Sequence, residues 1–376
     1  MRIEDFQIVR VIGAGKHTII YEVVHTHDRN KSARYAMKRY FLSETTSIHR
    51  ALQERKILQR LITSSEPSPF VSSFFWAIGG WKTPCVITTL GSTYNLFDLR
   101  KSQCVLTEED ACFYICEIMC GLEYIHQMEI VHRDIKLENI LLSETGHVII
   151  ADFDLAYDLR GHGRGLNSAL VVGTYEYMAP EIANSGPVTT KADIFSLGAL
   201  SAHLVTLEFR PNAVSKSRRI HMAKVGFYDK ENITPLSRAM RNFLNTCLHP
   251  NYLERPEVLE LKSMQYFNSI DWMEVAACRR KPPFQISQIH YSNFDNFIID
   301  PTNEVLINAA FGQNKPIIEG HQKLSDISKL DVVPVNLIEL ELNGYTDERI
   351  KRKFKSFDFV NPFLLELESK NEQTQQ

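Results

Sequence analysis

The hydrophobic pattern of the chain predicts strands first and helices later. Runs of β-branched and aromatic residues separated by turn residues predict strands over 6–12, 19–25, 33–40, 70–76 and 84–89. Apolar residues at helical spacing predict one helix among them, over 47–61. The first ninety residues therefore predict a β-rich segment with a single helix.

The pattern becomes helical beyond residue 91. Thr107 precedes three acidic residues, which is typical of a helix start, and an apolar helix is predicted over 111–125. Strand-like runs at 140–142 and 147–151 lead into a loop with Gly161, Gly163 and Gly165, and the pattern over 177–267 is mostly helical. After 267 we expect an extended tail with short docked pieces and a disordered end at 371–376.

Composition narrows the class of protein. The 376 residues are 44% hydrophobic and carry a net charge of −3, which fits a chain that buries a core and argues against a nucleic-acid-binding protein. No apolar run approaches the roughly 18 residues that a membrane helix needs, and the acidic start lacks the apolar block of a signal peptide. We therefore expect an intracellular protein, in the cytoplasm, the nucleus or both.

The seven cysteines do not form a disulfide pattern. Their number is odd and no C-x-x-C occurs, which favours a reducing compartment. Cys112, Cys116 and Cys120 recur every four residues and share one helix face. A metal or redox cluster is one interpretation, but we favour small buried hydrophobic residues because no histidine or pairing motif accompanies them.

Two segments of the β-rich region carry candidate phosphate-binding chemistry. Gly13 and Gly15 lie at a turn between strands, where backbone N–H groups can approach a phosphate, although ordinary hairpins share this pattern. Lys38 ends a strand, and Glu54 lies on the helix that follows. An ion pair between them would direct the ammonium group toward nucleotide phosphates.

The most specific segment is Ile130-Val131-His132-Arg133-Asp134-Ile135-Lys136-Leu137-Glu138-Asn139. It is followed by Asp152-Phe153-Asp154, then by Gly173-Thr174 and Ala179-Pro180-Glu181, and finally by Asp193 and Arg255. This order supplies a carboxylate to receive a hydroxyl proton, a lysine to neutralise a phosphoryl group, and oxygen ligands for Mg²⁺.

On these motifs the chain resembles the eukaryotic protein kinases over 6–267, and Lys136 is typical of the serine/threonine class. Lys281-Pro282-Pro283-Phe284, Ser292-Asn293-Phe294-Asp295 and 354–360 resemble the C-terminal extension of the AGC group, with mitogen- and stress-activated kinases as the nearest likeness. The resemblance implies an α+β, two-lobed protein kinase fold. It places a β-rich N-lobe at 6–90, an α-rich C-lobe at 91–267 and an AGC-type tail at 268–376.

The resemblance also assigns roles. Asp134 would orient the substrate hydroxyl and accept its proton, with Lys136 on the γ-phosphate and Thr174 bracing both. Asn139 and Asp152 would hold Mg²⁺. The residues that would bind ATP are Ile12, Gly13, Ala14, Gly15, Lys16, His17, Thr18, Ile19, Ile20, Ala36, Lys38, Glu54, Thr88, Leu90 and Leu141. Glu181 with Arg255, and Asp193, would anchor the loops.

Three departures from the family pattern keep an alternative open. Thr18 replaces a glycine of the loop, and Asp154 replaces the glycine of the Asp-Phe-Gly motif. Leu170 stands where the AGC group carries a phosphorylated residue, with Ser168 as a weak substitute, so Arg133 would lack its phosphate. The alternative is a pseudokinase scaffold with weak or no phosphoryl transfer. We favour the enzyme because the residues that perform the chemistry are all present.

The tail carries acids where the AGC group is phosphorylated. Asp358 occupies that position in the hydrophobic motif, and Glu304 aligns with a second one. A fixed carboxylate supplies about one negative charge instead of about two for a phosphate. We expect Phe354, Phe357, Asp358 and Phe359 to dock on the N-lobe of the same chain, although these acids have an ordinary solvated interpretation too. The expected partners are protein substrates, and the expected state is a monomer.

Overall fold

A computed structural model describes residues 1–14, 18–27, 33–42, 45–64, 66–79, 84–92, 94–162, 171–209, 215–289 and 346–362. The predictions for Gly163, Gly165, the motif at 292–295, Glu304 and the end at 371–376 fall outside these residues. The chain divides into two compact units. The first unit comprises 1–63, 73–90 and 293–376, and the second unit comprises 64–72 and 91–292.

The first unit is built on one antiparallel sheet. Its strands are β1 (Phe6–Ala14), β2 (Thr18–His25), β3 (Arg34–Tyr40), β4 (Phe74–Ile78), β5 (Cys85–Thr89) and β10 (Phe359–Val360). They lie in the order β1-β2-β3-β5-β4-β10. The pairs β1–β2, β2–β3 and β4–β5 join strands that are consecutive in the chain, whereas β3–β5 and β4–β10 join strands that are not.

Helix α1 (Thr45–Leu61) belongs to the same unit, as the periodicity predicts. Its apolar face is buried, with Ile48, Ile57 and Leu58 no more than 1% exposed. A separate cluster of buried aromatic and aliphatic residues, which includes Phe6, Tyr21 and Trp76, packs on the sheet.

A segment of the tail is part of the first unit. Helix α11 (Asp347–Phe354) leads into β10, which pairs antiparallel with β4 so that Phe359 lies opposite Ala77 and Val360 opposite Trp76. Phe357 is 1% exposed and the ring of Phe359 stacks on Phe74 with centroids 4.6 Å apart. The tail therefore extends the sheet by one strand.

The strand predicted over 70–76 is wrong for its first four residues, because β4 begins at Phe74. Residues 70–72 lie in the second unit and pair with the strand that contains Ile150. The N–H of Ile150 donates to the carbonyl of Phe70 at 2.8 Å, and the N–H of Ser72 donates to the carbonyl of Ile150 at 2.9 Å. A long-range pairing of this kind leaves no mark on the local hydrophobic pattern.

The second unit is mainly helical. Its longer helices are α2 (Leu96–Gln103), α3 (Glu108–Gln127), α6 (Lys191–Val205), α7 (Lys216–Val225) and α8 (Arg238–Cys247). Shorter ones are α4 (Leu159–His162), α5 (Pro180–Ala183), α9 (Val258–Leu261) and α10 (Trp272–Ala276). A β-rich first unit and a helical second unit confirm the predicted α+β class.

Helix α3 shows why the sequence signals succeed here. The hydroxyl of Thr107 accepts the N–H of Asp110 at 3.1 Å, as predicted for the helix start. The acidic first turn also suits the positive end of the helix dipole. The helix then buries most of its residues, which its apolar composition requires.

Four short strands position the loops of the second unit. Strand β6 (Ile130–Val131) pairs with β9 (Tyr157–Asp158), and β7 (Ile140–Leu142) pairs with β8 (Val148–Ile150). Each of these strands is only two or three residues long. The main role of each pair is therefore to hold in place the loops that its strands connect. Both pairs are antiparallel.

All seven cysteines lie in the described residues as free thiols, and Cys116 and Cys120 are buried as the packing interpretation predicts. Within the described ranges no cluster of three His, Cys, Asp or Glu residues could hold a metal ion. The helices of these ranges also include none with the length and apolar character needed to cross a membrane.

Gly198 lets α6 and α8 come into contact, and replacing it tests this packing. A Cβ at Gly198 would lie 2.6 Å from the Cβ of Cys247, much closer than carbon atoms can approach. We expect Gly198→Ala to lower the free energy of unfolding by about 1–3 kcal/mol, despite the gain of about 1 kcal/mol in helix propensity. Urea denaturation measures the change.

Ser217→Ala on the exposed surface of α7 is the control, since it should change stability by no more than about 0.5 kcal/mol. A Gly198→Ala variant as stable as the parent would contradict the close contact.

Candidate active site

Asp134 is the centre of a hydrogen-bond network in the second unit. It follows β6 and lies in the loop before a 3-10 turn at Leu137–Asn139. Only 6% of the surface of Asp134 is exposed. The ammonium of Lys136 donates to Oδ2 at 2.7 Å. The hydroxyl and N–H of Thr174 donate to Oδ1 at 2.8 and 3.0 Å. The three residues predicted to be catalytic are therefore brought together, although Thr174 is forty positions from Asp134.

Asn139 completes this network. Its amide nitrogen donates to the Asp134 carbonyl at 2.9 Å and to Oδ2 at 3.1 Å. Both donors of the amide nitrogen thus face Asp134, which leaves the amide oxygen as the end that can accept a cation. Oxygen is the ligand type that Mg²⁺ prefers.

Lys136 is held in its charged form. Burial would lower the pKa of its ammonium, but the Asp134 carboxylate and the neighbouring Asp152 hold that pKa above its ordinary value. Lys136 also donates to the hydroxyl of Thr174 at 3.1 Å. A positive charge therefore lies beside the Asp134 carboxylate.

The backbone at Asp152 has an uncommon conformation. Its φ of 67° lies in the left-handed region, which costs a residue with a side chain about 1–2 kcal/mol. Neighbouring contacts hold it there: the N–H of Ala151 donates to the carbonyl of Asn139 at 3.0 Å, and the ring of the fully buried Phe153 packs on His132 at 4.9 Å. The strain is concentrated where the resemblance places a metal ligand.

Asp193 anchors the loop from inside α6. It is completely buried, and its two oxygens accept the N–H of His132 at 2.8 Å and that of Arg133 at 2.9 Å. The ring of His126 lies 2.9 Å from Oδ2. Burial would raise the pKa of this carboxyl, but hydrogen bonds and histidine neighbours hold it below its ordinary value of 3.8.

Arg133 has contacts that sequence reasoning did not predict. Its backbone is left-handed, with φ 64°. Its guanidinium donates to the carbonyl of Leu155 at 2.7 Å and lies over the ring of Tyr157 at 5.1 Å. Burial lowers the pKa of the guanidinium to about 10. Leu170 and Ser168, where a phosphate was considered, lie outside the described residues.

Glu181 and Arg255 form the buried ion pair that the resemblance implies. Two guanidinium nitrogens donate to the two carboxylate oxygens at 2.7 and 2.9 Å, a bidentate arrangement. Further donation to the carbonyls of His249 and Lys191, and the ring of Phe195 at 4.9 Å, surround the charge. Phe195 thus packs directly on this pair.

Glu138 points its carboxylate into a buried environment beside the loop. Among the described residues its Oε2 is buried and has no hydrogen-bond partner. Burial is the main cause that raises the pKa of Glu138. A buried acceptor of this kind is suited to a cation that arrives with a bound molecule.

In the first unit Lys38 and Glu54 form the predicted ion pair. The Nζ atom lies 3.2 Å from Oε2 and 3.3 Å from Oε1. The hydroxyl of Tyr40 also donates to Oε2. Sequence reasoning missed Tyr40, although its position two residues after Lys38 places it on the same face of β3.

Several predicted nucleotide-binding residues share that face of the sheet. Ile20 lies directly opposite Gly13 and Lys38, and Ala36 lies opposite Thr88. Because residues that face each other across antiparallel strands point to the same side, these side chains project together.

The other predicted ATP-binding residues are placed as follows. Ile12, Thr18 and Ile19 lie on β1 and β2, Leu90 follows β5, and Leu141 lies on β7 of the second unit. Gly15, Lys16 and His17, and the side chain of Ala14, fall outside the described residues.

The tail segment makes polar contacts as well as apolar ones. Asp358 Oδ1 accepts the N–H of Gly79 at 2.6 Å. The guanidinium of Arg55 donates to the carbonyl of Phe357 at 3.1 Å. Burial lowers the pKa of Arg55, and the negative charge of Asp358 opposes this change. Arg55 and Gly79 were not predicted from the sequence, because they are about three hundred positions from their partners.

Comparison with known proteins assigns this geometry to a family. A family model described as the protein kinase domain matches residues 6–267. The chain is 26% identical over 301 residues to a probable serine/threonine-protein kinase of Dictyostelium discoideum, covering 79% of this chain and 64% of that protein.

Two relatives support the resemblance to AGC kinases. The chain is 30% identical over 288 residues to ribosomal protein S6 kinase alpha-2 of Homo sapiens and 31% identical over 308 residues to serine/threonine-protein kinase SCH9 of Candida albicans. These matches cover 75% and 78% of this chain but 38% of each relative. The chain thus spans well under half of these two proteins.

Replacing Asp193 tests whether its carboxylate stabilises the loop. The N–H groups of His132 and Arg133 donate to different oxygens of Asp193, and asparagine would keep only one of these acceptors. We therefore expect Asp193→Asn to lower the free energy of unfolding by about 3 kcal/mol at pH 7. Urea denaturation measures it, with Asp229→Asn as the surface control.

The pKa of Asp193 also predicts a pH window. A carboxyl with a lowered pKa stabilises the fold above the ordinary value of 3.8 and loses this effect as the pH falls through the folded value. The stability difference between parent and variant should therefore persist at pH 5 and narrow only in stronger acid. A difference below about 1 kcal/mol at pH 7 would show that the network does not depend on the charge.

Proposed function

The chain belongs to the protein kinase family, and we propose from this premise that it transfers the γ-phosphoryl group of ATP to serine and threonine hydroxyls of proteins. The observation that carries the proposal is the network around Asp134, in which Lys136, Thr174 and Asn139 all bond to one carboxylate. Phosphoryl transfer depends mainly on positioning and charge neutralisation, and this network supplies both.

Asp134 is proposed to bind the hydroxyl group of the protein substrate. With Thr174 and Asn139 holding its two oxygens, the carboxylate has a fixed direction in which to orient the hydroxyl and receive its proton. Lys136 remains protonated because of Asp134, so its ammonium can neutralise charge on the transferred phosphoryl group. Thr174 bonds to both residues and keeps their separation constant.

Asn139 and Asp152 are the residues that would hold Mg²⁺. An amide oxygen and a carboxylate fit a hard cation, and two protein ligands suit Mg²⁺ because it shares waters and substrate phosphates. The bound ion would neutralise negative charge on the phosphates. The chain's own part is to fix these two oxygens, through the Asn139–Asp134 bonds and the strained backbone of Asp152.

Nucleotide-binding roles are assigned to the first unit. Lys38, held by Glu54, is proposed to bind the α- and β-phosphates, and the shared face of Ile20, Ala36 and Thr88 supports an apolar contact with adenine. The backbone at Leu90 and the described residues Ile12–Ala14 and Thr18–Ile20 complete the assignment within the first unit. The resemblance alone assigns Leu141, which belongs to the second unit, to ATP binding.

Glu138 is proposed to read a basic residue of the protein substrate. Its buried acceptor would gain a partner when arginine or lysine arrives, which fits the basic sites that many AGC kinases prefer. The resemblance places two further acidic readers at Asn95 and in the region of Arg219, where this chain has no acid. Asn95 instead caps α2 by accepting the N–H of Asp98, and Arg219 pairs with Glu176. The preference for upstream arginine is therefore proposed to be weaker than in typical AGC kinases.

Replacing Asp134 tests catalysis. We expect Asp134→Asn to lower the rate of phosphate transfer from radiolabelled ATP to a generic protein substrate by about 10²–10⁴-fold, because a positioned base contributes about that factor. The matched control is Glu144→Gln, an exposed residue of the second unit, which should keep the parent rate.

Equal background transfer by the parent and by Asp134→Asn would favour the pseudokinase alternative suggested by Thr18, Asp154 and Leu170. A thermal shift with Mg²⁺ and ATP would then distinguish a nucleotide-binding scaffold from one that binds none, because a ligand that binds only the folded state raises its stability.

We further propose that the tail docks permanently on the first unit as part of the active kinase. Phe354, Phe357 and Phe359 supply the apolar contact, with exposures of 7% and 1% for the first two. The carboxylate of Asp358 supplies a fixed negative charge. It accepts the N–H of Gly79 and acts on the guanidinium of Arg55. Since the carboxylate is always present, docking would require no phosphorylation.

We propose that the protein acts as a monomer inside the cell, in the cytoplasm or nucleus.

Replacing Asp358 tests this docking. We expect Asp358→Ala to lower the melting temperature and the kinase rate, because the Gly79 N–H loses an acceptor worth about 1 kcal/mol. Asp358→Asn keeps an acceptor but removes the charge, so it separates the two contributions. Lys355→Ala, an exposed neighbour, is the control. If Asp358→Ala retained both the melting temperature and the activity of the parent, permanent docking would be rejected.

A further inference from the structure

Two cysteines on α3 form a thiol pair outside the catalytic network. Cys112 and Cys116 are one helical turn apart, and their sulfur atoms are 3.9 Å from each other. Cys116 is buried, whereas Cys112 is partly exposed. One sulfur of the pair is therefore reachable from solvent while its neighbour is enclosed.

A partly buried arginine packs on α3, at the residue next to Cys112 in the chain. The guanidinium of Arg280, just after α10, lies over the ring of Phe113 at 5.6 Å. Its Nη1 atom is buried and has no hydrogen-bond partner among the described residues. Its charge acts on both thiols. Arginine does not lose its proton in proteins, so this positive field is permanent.

Cys112 is the more exposed sulfur of the pair, which favours its ionisation over that of Cys116. The hydrogen bond with Cys116 is the main cause that lowers its pKa, with Arg280 and Tyr266 acting in the same direction against burial and against Glu109. The pKa of Cys116 is raised because it keeps the shared proton and is buried.

Most other thiols of the chain are chemically inert by comparison. Burial raises the pKa of Cys85 to about 12 and that of Cys120 and Cys278 to about 11. Cys104 is exposed, which makes it an internal standard for simple accessibility. Reactive cysteines are those that are partly exposed in an electropositive environment.

We propose that Cys112 is a modification site for hydrogen peroxide, activated by the Cys116 thiol and the Arg280 guanidinium. The thiolate sulfur attacks one peroxide oxygen, an S–O bond forms and the O–O bond breaks. The departing hydroxide takes a proton from solvent and leaves as water. Sulfur is oxidised by two electrons to a sulfenic acid and the peroxide is reduced, so no further reactant is needed.

The helix geometry keeps the product at the sulfenic acid. Residues four apart on a helix have Cβ atoms about 5–6 Å apart, whereas a disulfide requires about 3.5–4.5 Å. Cys116 therefore cannot close a disulfide with Cys112 unless α3 is distorted at a point where it is buried. The site can still accept a small external thiol.

The test is a competition within the intact chain. The reduced full-length protein is treated with limiting hydrogen peroxide in the presence of dimedone, which traps sulfenic acids, and its peptides are quantified by mass spectrometry. We expect the Cys112 peptide to be labelled at least about fivefold faster than the Cys104 peptide, although Cys104 is the more exposed. Faster labelling of Cys104 would overturn the proposal.

Matched variants separate activation from accessibility. Cys116→Ala and Arg280→Gln should each slow labelling of Cys112 several-fold, whereas Cys116→Ser keeps a donor and Arg280→Lys keeps a charge, so both should retain most of the rate. Unchanged labelling in both Cys116→Ala and Arg280→Gln would refute the assigned activation. A Cys112–Cys116 disulfide as the main product would refute the geometric limit. Labelling of Cys112 is independent of kinase activity, so it is informative even for an inactive protein.

Discussion

The second unit depends on one buried carboxylate. Asp193, inside α6, accepts two consecutive backbone N–H groups of the loop that presents Asp134. The second of these residues, Arg133, has a left-handed backbone that the loop would not keep without such support. A charge with no solvent exposure is costly unless its neighbours satisfy it, and here the neighbours are the residues that must be fixed. The same interaction therefore satisfies a buried charge and shapes the loop.

Sequence reasoning succeeded where a short segment carries its own signal. The start of α3 at Thr107 and the early strands β1 and β2 are local features. Asp134 and Asn139 are five positions apart and meet as expected, while their catalytic and metal-binding roles stay predictions. The ion pair of Lys38 with Glu54 was predictable because the family pattern fixes both positions. Such signals act within one element or one loop, where spacing alone determines which side chains meet.

Sequence reasoning failed where distant segments meet. Residues 70–72 look like the start of a strand, but their partner is β8, nearly eighty positions away. Arg55 and Gly79 carry no mark that they will contact the tail. The bond of the Arg133 guanidinium to the Leu155 carbonyl and its packing on Tyr157 also carry no local signal. Pairing across such distances depends on the folded arrangement, which local hydrophobicity does not encode.

The addition of β10 to β4 has a consequence for handling shorter versions of the chain. A strand at the border of a sheet exposes unpaired backbone groups that can recruit a strand from another molecule. In the intact chain β10 covers the outer side of β4. A fragment that ends before residue 346 would leave Trp76 and Ala77 without their β10 partners and paired only with β5. The tail segment therefore occupies an edge of the sheet that would otherwise present unpaired backbone groups.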